Sequence, residues 1–304
     1  MRNHEGSKAG AMPALVVPIP HSALRIPHSI VPLLGHPVAH SLSPAFQDAA
    51  FAHGGIAARY ELWDVEPGGL AAAVARLREP AYIGANVTVP HKEATVALLD
   101  ELAPLAGRVG AVNTIVKRGA ALRGENTDVG GFLAPLAERR RDLRRGGAAI
   151  LGAGGAARAV AVALLDAGVP ALAIANRTPA RAEALASALG DPRVRPLALD
   201  DPALAALLAD TTLLVDATAR GWQERSPTLP PALLARLPGD ALVYDLTYRQ
   251  TPLLQAAAAR GLATLDGLPM VVEQGALAWQ LWTGREAPRA MMREAALAAR
   301  AARE

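Results

Sequence analysis

The sequence predicts an α/β protein of two domains around a cleft, the second a parallel sheet wound on both faces by helices. Three observations lead there. The 304 residues suit two domains better than one and leave ample apolar material for packed cores. Alanine is abundant while aromatic residues make up 4% of the chain, which favours helices lying close on a sheet over an aromatic-rich all-β core. From Gly146 onward strand and helix patterns alternate, the signature of parallel strands joined by helical crossovers.

The elements follow in order. Met1 to about Ile30 carries prolines and glycines before any clear periodicity and has no unbroken apolar run. Residues 1–29 therefore read as a flexible extension and not as a signal peptide. "IVPLLG", Ile30 to Gly35, is a first strand. A helix opens near Ser43 and Pro44, where a serine caps and a proline takes the first turn. "ARYELWDV" is a second strand, and "GGLAAAVARLRE" is helical by its apolar spacing. "GANVTVPHKEA", Gly84 to Ala94, starts as a buried strand and leads into a helix expected from Pro90. "VGAVNTIVKRGAALRGENTD" is a hairpin turning at Arg118-Gly119. Then come "AAILGA", "RAVAVALLDAG", "ALAIANR", "PARAEALASALG", "TTLLVDAT" and "ALVYDLTY", alternating strand and helix. The last part, "VEQGALAWQLWTG" and "APRAMMREAALAARAARE", is helical.

Composition excludes several classes. Hydrophobic residues are 51% and charged residues 19% of the chain, which places it among globular and not disordered proteins. The net charge of +3 is mild. Its one local cluster, Arg139, Arg140, Arg141, Arg144 and Arg145, reads as the solvated end of a helix. A nucleic-acid reader needs a basic stripe interleaved with aromatics, and none is present. The absence of cysteine excludes disulfides and thiolate metal sites and suits a reducing cytoplasm. The most apolar run, "AVAVALLDAGVPALAIA", is interrupted by Asp166, Gly168 and Pro170, so no membrane span is expected. His36 and His40 have i, i+4 spacing, but Pro37 lies between them and no glutamate does, which argues against a zinc helix. No G-x-S-x-G elbow is found.

"ILGAGGAARA" lies between a strand and a helix, and Gly152, Gly154 and Ala157 match G-x-G-x-x-A, a form of the dinucleotide fingerprint of Rossmann-type sheets. Small residues there let backbone approach a pyrophosphate, whose charge sits on the helix N-terminus. An NAD site usually places a carboxylate about 20 residues on. Here the next strand ends in "NRTPAR", with Arg177 and Arg181 and no acid. A cation in a helix's first turn opposes the helix dipole, and an anion held by both guanidiniums offsets that. A 2′-phosphate suits their geometry, so NADP is the expected cofactor.

The strand at Gly84 ends in a lysine, Lys92, expected in a helix's first turn and partly buried, a setting that disposes an amine toward proton transfer. A second polar strand end, "GENTDVGGF", offers Asn126, Thr127 and Asp128. A carboxylate there can orient an ammonium. Read alone, the segment favours the plainer reading of Lys92 as a solvated helical lysine.

"GHPVAHSLSP", "NVTVPHK", "GAVNT", "NTDVGGF", "GAGGAAR", "NRTPAR", "YDLTY" with "TPLL", and "DGLPMVVEQG" occur in the order seen in shikimate dehydrogenases. From about Val31 to its C-terminus the chain resembles that family. The resemblance implies reversible NADPH-linked reduction of 3-dehydroshikimate to shikimate in the chorismate branch of aromatic amino-acid biosynthesis. It places Ser41 and Ser43 on the substrate carboxylate with Tyr248 nearby, and Thr88, Asn113, Asp128 and Gln274 on ring hydroxyls or the carbonyl. Lys92 becomes the general acid/base and Asp128 its partner. Cofactor contacts carry over to Gly152, Ala153, Gly154, Gly155, Ala156, Asn176, Arg177, Thr178 and Arg181, and more loosely to Thr218, Leu246 and Gly267. Each has a plainer reading: Ser41 and Ser43 as caps, Asn113 as a strand-end turn residue, Gln274 as a solvated helix position.

The chain departs from the family pattern in two places. "DATARGW" stands where an asparagine-led "NAT" is usual, so that Asp216, Ala219, Arg220 and Trp222 are unexpected beside the nicotinamide. Pro269 replaces the usual glycine of "DGLGM", which stiffens the return to the first domain. The expected division is residues 30–127 plus 267–304 for substrate and 128–266 for NADP. The partner is a small molecule, with no nucleic acid, membrane or metal. Monomer and homodimer both fit. Rival readings are a quinate or amino-shikimate dehydrogenase using NAD(P), and a catalytically idle NADPH-binding regulator.

Overall fold

The computed structural model describes residues 29–218 and 226–303. Most of the leader, and Ala219, Arg220 and Trp222 of the departing loop, lie outside the described residues. Among the described residues, twelve strands form two sheets of six strands each, accompanied by eleven α-helices.

The first sheet contains β1 (Ser29–Gly35), β2 (Ala58–Asp64), β3 (Gly84–Val87), β4 (Glu101–Leu102), β5 (Thr114–Arg118) and β6 (Ala121–Glu125), ordered β2-β1-β3-β5-β6-β4. β1 lies parallel to both β2 and β3, while β5 runs antiparallel to β3 and β6. The expected hairpin is present. Arg118 pairs with Ala121, and Gly119 takes φ +63° between them, the left-handed conformation a two-residue loop needs. α1 (Ser43–His53), α2 (Leu70–Arg76) and α3 (Pro104–Val109) accompany this sheet.

α4 (Asp128–Glu138) leads into the second sheet. That sheet contains β7 (Gly147–Leu151), β8 (Leu172–Asn176), β9 (Val194–Ala198), β10 (Thr211–Asp216), β11 (Leu242–Asp245) and β12 (Ala263–Leu265). Its order, β12-β11-β10-β7-β8-β9, is parallel throughout. α5 (Gly155–Asp166), α6 (Pro179–Leu189), α7 (Ala203–Ala209), α8 (Pro231–Leu234) and α9 (Pro252–Ala259) connect its strands. Read from β9, the order is 3-2-1-4-5-6, so the winding reverses between β7 and β10, where open α/β sheets bind ligands.

α10 (Leu268–Thr283) and α11 (Arg289–Ala301) complete the chain. Trp279, Trp282, Ala276, Met292 and Ala296 share one apolar cluster with Val31 of β1 and with Phe46 and Phe51 of α1. Trp282 Nε1 donates to the Ile115 carbonyl at 3.0 Å, so the last helices are anchored on the first sheet by a satisfied polar group as well as by apolar area. α4 faces the other way. Its Val129, Phe132 and Leu136 lie in a cluster with β7 and α5, and Phe132 stacks on Tyr244 of β11 with centroids 5.3 Å apart.

Two local expectations are corrected. No helix starts at Pro90. Residues 89–93 form turns, followed by a 3-10 helix over Ala94–Leu98. The Lys92 carbonyl, which would accept from Val96 in an α-helix, accepts from Val112 N at 2.8 Å instead. Lys92 therefore owes nothing to a helix dipole. Ser43 does not cap α1 either: it is the first helical residue, the N-cap is Leu42, and no side chain caps it. The hydroxyl that serves this turn belongs to Ser41, whose Oγ accepts from Ser43 N at 3.2 Å. Arg141 differs from a merely solvated helix end. It donates to the carbonyls of Thr212 and Asp240 at 2.7 and 2.6 Å, tying the loop after α4 to the second sheet.

Candidate active site

The polar cluster is built where β3, β5 and α4 meet. β3 pairs with β1 on one side and β5 on the other, with Asn86 opposite Thr114. Asn86 is buried and spends its amide inside this framework: it donates to the Asn113 carbonyl and to Thr114 Oγ1, both at 3.0 Å, and accepts from Tyr60 Oη at 2.7 Å. That fixes Asn113, just ahead of β5. Asn113 Nδ2 then reaches Thr127 Oγ1 at 2.9 Å, Asp128 Oδ1 at 2.8 Å and Gln274 Oε1 at 3.2 Å, while its Oδ1 accepts from Thr127 N at 2.7 Å. Asn126 turns its Oδ1 toward Asp128 N at 3.1 Å and donates to the Ala111 carbonyl.

Asp128 opens α4, where a carboxylate complements the positive helix end. Its Oδ2 accepts from Lys92 Nζ at 2.6 Å, and the two side chains are only 4% and 12% exposed. A close, charge-assisted contact of this kind, with the second carboxylate oxygen also bonded, fixes the ammonium in place. Lys92, Asn113, Asp128 and Gln274 thus form one connected group, and Gln274 is not a solvated helix position.

Ser41 and Ser43, where the loop that leaves β1 enters α1, form a second group with Tyr248, which follows β11. Both serines are buried. The Tyr248 hydroxyl donates to the His40 carbonyl at 3.1 Å, and burial above all pushes it up to about 12. Thr88 follows β3, and its amide donates to the Leu34 carbonyl at 2.8 Å, so the ends of β1 and β3 carry the two groups side by side. α10 joins them from behind: Gln274 reaches Asn113, and the adjacent Gly275 carbonyl accepts from Gln47 of α1 at 3.0 Å.

A cavity of about 450 Å³ opens at the reversal between β7 and β10, within the range of small-molecule sites. Gly152, Ala153, Gly154, Gly155, Asn176, Arg177, Arg181 and Thr218 line it, together with Lys92. Gly152 has φ +111°, a conformation that glycine adopts without strain. Gly155 begins α5, and a Cβ there would lie 2.8 Å from Lys92 Cβ. The glycine is therefore what lets the loop touch the stem of the lysine. Asn176 Nδ2 closes the turn carrying Arg177 by donating to the Thr178 carbonyl at 2.9 Å. Ala156, Thr178, Leu246 and Gly267 are not on the cavity wall. Leu246 and Gly267 pack against each other instead.

Glu93, Arg158 and Thr228 were not singled out by sequence reasoning. Glu93 and Thr228 line the cavity, and Arg158 of α5 binds Glu93 at 3.1 Å. "KEA" and "GGAAR" held the signal for this pair, a carboxylate next to the lysine and a cation in the first helical turn. Glu93 is the sole carboxylate among the described lining residues and is neutralised by Arg158. The glycine loop, the free amides at the start of α5 and two acid-free arginines at the end of β8 fit a dinucleotide bearing a 2′-phosphate.

The departure at Asp216 has a structural consequence. Asp216 pairs in register with Asp245 on the neighbouring strand, and both are buried. Burial first, and then the charge of Asp216, push the Asp245 carboxyl up to about 6. Pro269 sits in the first turn of α10, a position that proline tolerates. Among the described residues, no helix is long and apolar enough to cross a membrane.

Comparison with known proteins accounts for this arrangement. Residues 33–115 match the model of the shikimate dehydrogenase substrate binding domain, 135–222 that of shikimate / quinate 5-dehydrogenase, and 267–297 that of the shikimate 5'-dehydrogenase C-terminal domain. The shikimate dehydrogenase (NADP(+)) of Symbiobacterium thermophilum is 48% identical over 91% of this chain and 97% of its own length. That of Moorella thermoacetica is 49% identical over 86% and 90%. The crystal structure of shikimate 5-dehydrogenase from Thermus thermophilus in complex with NADP(H) and shikimate superposes with a TM-score of 0.79 at 43% identity, covering 89% of this chain and 99% of that one. With matches of this extent on both sheets and the last helices, the chain belongs to the shikimate dehydrogenase family.

Proposed function

We propose that the cavity and the lysine-centred cluster beside it form one active site, in which 3-dehydroshikimate is reversibly reduced to shikimate with NADPH. The observation that carries this reading is the position of Lys92: its ammonium is held by Asp128 at 2.6 Å, while its stem borders the glycine loop. When bound, NADPH supplies the hydride. The chain's own residues do the rest. Gly152 to Gly155 and the start of α5 hold the pyrophosphate, and Arg177 and Arg181 the 2′-phosphate.

Lys92 donates a proton to the substrate oxygen as that oxygen gains charge, and the neutral amine takes it back in the reverse direction. Asp128 keeps the ammonium aimed and stabilises it until transfer. Asn113 and Gln274, already ordered by mutual bonding, present amide groups to ring hydroxyls, as does Thr88 with its hydroxyl. Ser41, Ser43 and Tyr248 receive the carboxylate. A site whose polar groups are paired with substrate hydroxyls rejects analogues that lack them. Residues 30–127 with 267–304 act as the substrate unit and 128–266 as the cofactor unit, with a small-molecule substrate and a cytoplasmic setting.

The test is nicotinamide absorbance with shikimate or quinate and NADP or NAD. Turnover is expected to be greatest with shikimate and NADP. No turnover with any of the four pairs overturns the reading.

A further inference from the structure

The loop that carries Ser41 and Ser43 is held by a cation that neither the sequence patterns nor the family resemblance pointed to. Arg303, two residues beyond α11, donates from Nη1 to the His40 carbonyl at 2.6 Å and from Nη2 to the Ser41 carbonyl at 3.1 Å. The His40 carbonyl also accepts from the Tyr248 hydroxyl, and Ser41 Oγ accepts from Ser43 N. One guanidinium, one phenol and two serine hydroxyls are thus gathered on a single short stretch of backbone. The planar fork of arginine suits two adjacent carbonyls.

The partners of Arg303 are neutral, and that is the informative point. Arg289, Arg293 and Arg300, earlier on α11, each face a carboxylate: Glu273, Glu138 and Asp266. Among the described residues Arg303 forms no ion pair, and two carbonyls leave its positive charge uncancelled. Its field reaches His40 on the loop and Tyr248 beside it. His40 is held below its ordinary value by burial and then by Arg303, and Arg303 also lowers Tyr248 against the larger effect of burial.

We propose that Arg303 is a specificity-determining residue for an anionic substrate: it fixes the Ser41 backbone and supplies the positive charge that the serine and tyrosine hydroxyls lack. This rests on the assignment of Ser41, Ser43 and Tyr248 to the substrate carboxylate. Hydroxyls alone recognise a carboxylate by hydrogen bonding but do not offset its charge. A cation bonded to the same loop does so without entering the hydrogen-bonding positions.

The experiment measures kcat and KM for shikimate and for its uncharged methyl ester, at low and high salt, in the wild type, Arg303→Ala and Arg303→Lys. Arg303→Ala is expected to raise KM for shikimate about two- to fivefold at low salt, the scale of one solvent-accessible charge interaction, with kcat within about twofold. The wild-type KM should climb with salt and the Arg303→Ala KM should stay flat. The ester should not distinguish the two proteins, and Arg303→Lys should keep most of the wild-type advantage.

An unchanged KM in Arg303→Ala, an equal loss on the ester, or Arg303→Lys as poor as Arg303→Ala overturns the inference. A wild type that does not turn over shikimate overturns the site assignment itself, which is a different result from an active wild type indifferent to Arg303.

Discussion

At the scale of residues, the proposed chemistry rests on Lys92 and what restrains it. An ammonium on a flexible stem is a poor acid catalyst unless something holds it within reach of the reacting oxygen. Here Asp128 holds the tip at 2.6 Å, the lysine's own carbonyl is tied to Val112, and Gly155 bounds the stem. On the proposed reading, Lys92→Ala removes the proton donor while leaving Asn113, Gln274 and the serine loop to bind substrate. It should lower kcat by about 10²–10⁴-fold and change KM for shikimate little, as steady-state kinetics would read. A variant within tenfold of wild-type turnover would exclude Lys92 as the acid. The grouping of these side chains is legible in the sequence: ordered motifs single out Lys92, Asn113, Asp128 and Gln274, and the structure brings the four together. The missing part was Glu93–Arg158 and Arg303, because an ion pair 65 residues apart in sequence and a fork onto backbone carbonyls leave no periodic or local signature.

At the scale of elements, the expected strands and helices are present wherever hydrophobic period and turn chemistry agreed. β9 escaped notice because Pro196 interrupts "VRPLA". β9 is an edge strand, where a missing amide costs no ladder bond. The false helix after Pro90 has the opposite cause. Pro90 resembles a helix start, but tertiary pairing of the Lys92 carbonyl with Val112 wins over local propensity, and residues 89–93 form turns. α4 and α10 touch closely because Gly131 lacks a Cβ: one there would lie 2.7 Å from Gln274 Cβ, so the glycine pair after Asp128 sets the position of Gln274. The strand ends β10 and β11 give a pH prediction. Asp245 has a folded value of about 6 against an ordinary 3.8, so between these values the folded state binds more protons than the unfolded one. Stability contributed by this group is therefore lost as pH rises through that window, and the cost is complete above it. Asp245→Asn, with no charge to bury, should be more stable than wild type by on the order of 1–3 kcal/mol near pH 7.5 and by much less near pH 4.5. Urea midpoints at the two values measure this. A difference independent of pH would show that the carboxylate pair carries no such strain.

At the scale of the whole molecule, two sheets with separate cores are joined by α4 and α10, and they also meet through Glu93–Arg158 and through Lys92 against Gly155. These contacts put Lys92 of one unit at the wall of the other unit's cavity. Cofactor binding should consequently be felt as stability of the entire chain. A ligand that binds only the folded state at 100 times its Kd adds about 2.7 kcal/mol, which for a chain of this size raises Tm by roughly 4 °C. NADH at the same concentration lacks the 2′-phosphate and leaves Arg177 and Arg181 without their anion. Each charge-assisted hydrogen bond forgone is worth about 1.5–3 kcal/mol, so the NADH shift should be a few degrees smaller. Replacing both arginines by alanine should bring the NADPH shift down to the NADH level and leave the NADH shift where it was, because neither guanidinium serves the part of the cofactor that the two nucleotides share. Differential scanning calorimetry of the two proteins with each nucleotide measures all four shifts. Equal shifts for NADPH and NADH in the wild type would mean that the arginines at the end of β8 do not read the phosphate. A loss of both shifts in the double variant would place them on the pyrophosphate or the fold instead.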